Sequence, residues 1–184
     1  MTADRTTYVA LLRAVNVGGR NIISLAALQL CLERLGLINV RTFIQSGNVI
    51  FETGKTSGTK LTRRIEGAVS TALGIDSRIV LLSPAQLKTI VAEAPAGWAR
   101  SSDLRRNIAF LRPAVTASHA LKQVEAKPGV DSVTAGEGVL YMATVMSGVP
   151  KSGLRKLIRM PAYREMTIRT YGTCQKILAL MEGG

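Results

Sequence analysis

One order of apolar patterns, strand–helix–strand–strand–helix–strand, can be read twice along this chain. It constrains the fold more than any single motif does. Residues 8–12 form a short apolar run that closes on a Gly-Gly turn, as a buried strand would. Ser24 then precedes Leu25, Leu28, Cys31, Leu32 and Leu35, which is helical spacing behind an N-cap, and Gly36 supplies a stop. Residues 40–44 read as a strand, Gln45-Ser46-Gly47-Asn48 has turn composition, and residues 49–51 begin the partner strand of a hairpin. Leu61, Ile65, Ala68, Val69, Ala72 and Leu73 share one helical face that ends at Gly74, and residues 78–82 form the next strand.

Ser83-Pro84 opens a connecting helix to about residue 91, and residues 95–103 are a polar linker around Trp98. The order then recurs: a strand over 107–111, a helix over 116–125, and two strands flanking Gly136-Glu137-Gly138. A basic helix opened by Ser152 and stopped by Pro161 follows, then a strand over 165–170 and a final helix over 172–181. In the basic helix, Leu154, Leu157 and Ile158 are the predicted buried stripe. The expected fold is α+β: two tandem ferredoxin-like (βαββαβ, α/β-plait) subdomains with a connecting helix and a C-terminal helix. The expected division is 1–95 and 96–184.

Composition supports a core without staples. The chain has 184 residues, of which 47% are hydrophobic and only 4% aromatic, so aliphatic side chains must supply the packing. The two cysteines, Cys31 and Cys174, lie far apart in apolar contexts and read as reduced, buried thiols of a cytoplasmic protein. No apolar stretch approaches the roughly 18 residues of a membrane helix. The net charge of +12 is spread over both halves of the chain, which favours polyanions or phosphorylated small molecules, although codon usage alone also produces arginine-rich chains.

In a β-α-β-β-α-β sheet the first strand's end and the hairpin turn after the second strand lie at the same rim. Arg13-Ala14-Val15-Asn16-Val17-Gly18-Gly19-Arg20 therefore falls near Gln45-Ser46-Gly47-Asn48. Arg13 and Arg20 suit a bidentate grip on phosphate or carboxylate, Gly18 and Gly19 let backbone N–H groups turn outward, and Asn16, Gln45, Ser46 and Asn48 supply hydrogen bonds. The competing reading is that the glycines are turn residues and that Asn16 and Asn48 satisfy loop backbone. A second basic cluster, Lys151, Ser152, Arg155, Lys156 and Arg159, reads either as a solvated helix face or as phosphate contacts.

The run from Tyr8 to Arg20, followed by Leu35-Gly36 and by residues 40–51 with Gln45-Ser46-Gly47-Asn48, resembles the domain-of-unknown-function 1697 family. The resemblance implies tandem α/β-plait subdomains and no established activity. The chain departs from the family pattern in three places. Ala14 stands where glycine is usual, Ser152-Gly153-Leu154-Arg155 replaces Ser-Lys-Leu-Thr, and Ile168-Arg169-Thr170-Tyr171-Gly172-Thr173 replaces Thr-Arg-Asn-Trp-Asn-Thr. Ser152, Arg169 and Thr173 keep the pattern and join the second cluster.

Several chemistries lack a sequence signature. His119 is the only histidine and has no serine or cysteine motif beside it. Metal-ligand spacing, the Walker pattern and the dinucleotide glycine motif are missing, so no cofactor and no metal are expected. The leading expectation is a cytoplasmic binding module for an anionic, nucleic-acid or nucleotide-like ligand. The alternative is an enzyme that holds a small phosphorylated or carboxylated substrate by charge stabilisation from Arg13, Asn16, Gln45 and Asn48. A partner-binding adaptor is a third reading, hinted at by Trp98.

Overall fold

Strand β1 (Arg5–Leu12) does not alternate: its last four residues, Val9 to Leu12, are all buried. A strand sealed on both faces is the centre of a covered sheet. It pairs antiparallel with β3 (Asn48–Gly54) on one side and β4 (Ile79–Leu82) on the other, while β2 (Ile38–Phe43) lies outside β3, giving the order β2-β3-β1-β4. The register of β2 shifts between Ile38 and Arg41, where Asn39 takes φ 51°. Helix α1 (Leu25–Glu33) starts at Ser24, whose hydroxyl accepts from Ala27 N at 3.4 Å. Helix α2 (Gly58–Leu73) buries Leu61, Ile65 and Val69 in a core shared with Leu28, Leu32, Ala10, Leu12, Val49 and Phe51.

These residues belong to a computed structural model that describes residues 5–16, 22–45, 47–54 and 58–183. It is an α+β protein with two four-stranded antiparallel sheets. The chain divides into two compact units, Met1–Leu87 with Lys176–Gly184, and Lys88–Gln175. Both divisions fall inside helices, α3 (Pro84–Ala92) and α5 (Tyr171–Met181), whereas the sequence puts the divide in the linker at 95/96.

The second sheet contains β5 (Leu104–Leu111), β6 (Asp131–Gly136), β7 (Val139–Val145) and β8 (Met166–Thr170), in the order β6-β7-β5-β8. Helix α4 (Ala117–Gln123) follows β5 behind the N-cap Thr116. The basic helix expected from 152 to 161 is replaced by tight 3₁₀ segments, Met146–Lys151, Gly153–Arg159 and Pro161–Glu165. Pro150, Gly153 and Pro161 punctuate this run too often for an α-helix. The stripe changes accordingly. With three residues per turn, Leu154 and Leu157 face inward, but Ile158 falls off the face and is 67% exposed, which corrects its predicted burial.

Trp98 also differs from expectation. It is 4% exposed and packs edge-on against Tyr141 and Tyr171, with centroids 6.0 and 5.5 Å away. The Tyr141 hydroxyl donates to Ile90 O at 2.8 Å, and burial, aided by Glu93, pushes its pKa up to about 12. This aromatic is core, so the hint it gave of an adaptor surface disappears.

Candidate rim site and basic patch

The two sequence motifs of the first unit meet. Leu12 N donates to Gly47 O at 2.8 Å, and a Cβ on Gly47 would lie 3.0 Å from Leu12 Cβ and 3.1 Å from Val15 Cβ. Only glycine fits that approach at φ +70°. The adjoining backbone is strained: Ala14 (φ 56°), Asn16 (φ 53°) and Ile44 (φ 50°) all adopt left-handed conformations that side chains disfavour. Such strain concentrates where surrounding structure over-determines a functional or tightly packed loop.

The described residues of the expected site have separate roles. Arg13 is half-buried; its N–H donates to Arg78 O at 2.8 Å and its carbonyl accepts from Ser77 Oγ at 2.9 Å. Asn16 brackets Ile23, accepting from its N–H at 2.8 Å and donating to its carbonyl at 3.1 Å. Gln45 is exposed. Asn48 is fully buried and donates Nδ2 to Phe43 O at 3.0 Å, so its amide braces the turn. Gly18, Gly19, Arg20 and Ser46 lie outside the described residues.

The second unit repeats this rim with different charge. Leu111 N donates to Gly138 O at 2.9 Å, as Leu12 does to Gly47, and Arg112 N donates to Glu165 O at 3.0 Å, as Arg13 does to Arg78. Arg112 and Glu165 also form an ion pair at 3.5 Å. At the matching place in the first unit both residues are arginines. Arg78, which sequence reading missed, is therefore a second cation at the rim; only the register between strands reveals it.

The secondary patch does not stay together. Ser152 caps its 3₁₀ segment, and its hydroxyl donates to Asp131 Oδ1 at 2.6 Å. Asp131 also accepts from Thr144 Oγ1, Lys127 N and Gly153 N at 2.8, 3.0 and 2.8 Å. Burial alone would raise this carboxyl's pKa, but the four donors outweigh it and hold it below its ordinary value. Lys156 pairs with Glu125, while Lys151, Arg155 and Arg159 are exposed. Arg169 is only 8% exposed, and burial lowers its pKa to about 10. Thr173 bonds Thr170 at 2.8 Å. Arg169 thus sits inside the unit, beside the buried thiol of Cys174, which burial pushes up to about 12.

Among the described residues no group of three or more His, Cys, Asp or Glu side chains could hold a metal ion, and no helix is long and apolar enough to cross a membrane. His119 is exposed on α4, 2.8 Å from the Gln123 amide. The model of a family described as Protein of unknown function (DUF1697) matches residues 5–141. The solved structure of the conserved bacterial protein SP0830 from Streptococcus pneumoniae is similar, with 26% identity and a TM-score of 0.84 over 96% of this chain and 99% of that one. Comparison with the curated proteins finds no match.

Proposed function

This chain belongs to the family described as Protein of unknown function (DUF1697), and from that premise we propose that it is a cytoplasmic, non-catalytic binding module for an anionic, nucleic-acid or nucleotide-like ligand. The ligand would sit at the rim of the first unit. The observation that carries this reading is the charge difference between the two rims: Arg112 faces Glu165, whereas Arg13 adjoins Arg78. An arginine placed where the sister unit uses a neutralising glutamate creates local positive potential, and the net charge of +12 adds to it. Asn16 supports the same reading by tying Ile23 to the middle of the first motif, so that the two residues flanking the stretch that carries Gly18, Gly19 and Arg20 are held together. In this reading each sheet is a ferredoxin-like unit; the strand orders β2-β3-β1-β4 and β6-β7-β5-β8 support that topology.

Fluorescence anisotropy with a mixed-sequence single-stranded oligonucleotide tests the proposal. Affinity should fall steeply as salt rises, because phosphate contacts release counterions. Arg78→Glu, which copies the second unit's ion pair, should weaken binding about tenfold, and Arg13→Gln should weaken it by a comparable factor. Competition by ATP would assign the site to nucleotides. Absence of binding to both probes at low salt, or binding indifferent to Arg78→Glu, would overturn the proposal.

A further inference from the structure

The second unit carries a cavity where the first unit places two aromatic rings. Matching Leu12 to Leu111 through their turn bonds matches Tyr8 to Asn107, and the strand pairs Tyr8–Phe51 to Asn107–Met142. In the first unit the Tyr8 and Phe51 rings lie 6.2 Å apart and close the end of the core face. In the second, an amide and a thioether occupy those places beneath a 3₁₀ run instead of a four-turn helix. A cavity of about 260 Å³ opens there.

Its walls are of two kinds. Met142, Leu157 and Ile168 form an apolar floor continuous with the core, while Arg105, Asn107 and Arg155 stand around it. The Ser152 and Thr144 hydroxyls at its edge are committed to Asp131. Arg155 gives one N–H to Pro150 O, and the side chains of Arg105 and Asn107 have no hydrogen-bond or ion-pair partner among the described residues. The uncommitted groups are thus two guanidinium donors and an amide above an apolar floor. Pockets for drug-sized ligands run from roughly 300 to 1,000 Å³, so the occupant is smaller than those.

We propose that this cavity binds a small carboxylate with a short apolar body, the carboxylate held by Arg105 and Arg155 and oriented by Asn107. Paired guanidinium donors match a carboxylate's geometry, and the floor rewards burial of an alkyl or phenyl group. The proposal concerns the second unit alone and stands or falls independently of the rim.

Isothermal titration of the full chain with 3-phenylpropionate and with 4-methylpentanoate tests it, with 3-phenylpropanamide and inorganic phosphate as controls. Saturable binding of at least one carboxylate is expected, with the amide about tenfold weaker or worse and phosphate weaker still. Arg105→Gln should weaken the carboxylate about tenfold. Asn107→Tyr, which restores the first unit's plug, should abolish binding while leaving the melting temperature equal or higher. If Asn107→Tyr does not fold, Met142→Phe supplies the plug from the opposite strand. Failure of both carboxylates to bind, equal affinity for the amide, tighter binding of phosphate, or undiminished binding in the plugged variant would each overturn the proposal.

Discussion

The two sheets share a strand order, a pair of turn bonds and a central strand buried at its far end, yet they are finished differently. The first is closed by Phe51 and Tyr8 and covered by the sixteen-residue α2; the second has Met142 and Asn107 at the same places and a broken 3₁₀ run above them. Strand pairing therefore sets the framework, while the crossover and a few face positions decide whether rings or a cavity stand at the end of the core face. The same logic holds at the rims, where the second unit sets a glutamate beside Arg112 and the first sets Arg78 beside Arg13.

Transplanting the hollow pattern gives the largest expected effect. Phe51→Met with Tyr8→Asn should destabilise the first unit by about 4 kcal/mol, measured by denaturant unfolding, because a fully buried ring is lost. A loss under about 1 kcal/mol would show that the plug is dispensable and break the comparison. Gly153→Ala comes next, at about 3 kcal/mol, since its Cβ would meet the Glu125 carbonyl oxygen and the backbone must move. Here the 3₁₀ segment lies against a carbonyl that leaves no room for a side chain.

Asp131 sharpens the comparison through pH. Its folded pKa is depressed from the ordinary 3.8, so its stabilisation is present above that value and is lost as the pH falls through and below it. Thermal melts on acidification should show this loss. Asp131→Asn should flatten the acid limb and cost about 2 kcal/mol near neutrality, from charge-assisted bonds to Ser152, Thr144 and Gly153. Ala14→Gly should raise stability by about 0.5–1 kcal/mol, because φ 56° costs alanine more than glycine. Ile158→Ser should change stability by less than about 0.5 kcal/mol, since the side chain is 67% exposed; a larger loss would restore the α-helical stripe.

The elements were legible where periodicity and punctuation agree. Ser24 caps α1, and Gly36 and Gly74 take positive φ after α1 and α2, as stop glycines do. The 3₁₀ run was not legible, because Leu154, Leu157 and Ile158 fit an α-helical face, and only the buried Leu157 beside the exposed Ile158 separates the two periods. Trp98 reads as linker until Tyr141 and Tyr171, distant in sequence, close around it. Of the rim, the meeting of the two loops was legible from topology, but the burial of Asn48 and the presence of Arg78 were not, since both depend on strand register. The cavity is hidden for the same reason: Arg105 and Asn107 look like an ordinary polar strand start until they are set against Thr6 and Tyr8.

The irregular pairing of β2 at Asn39 has a consequence for what its outer edge offers another strand. A straight border strand offers a neighbour a ladder of free amides and carbonyls, and proteins that leave one open invite runaway stacking. Here the border is kinked between Ile38 and Arg41 by a left-handed residue, so an incoming strand loses its alignment after a few residues. Such a border is a poorer template for an added strand than a straight one.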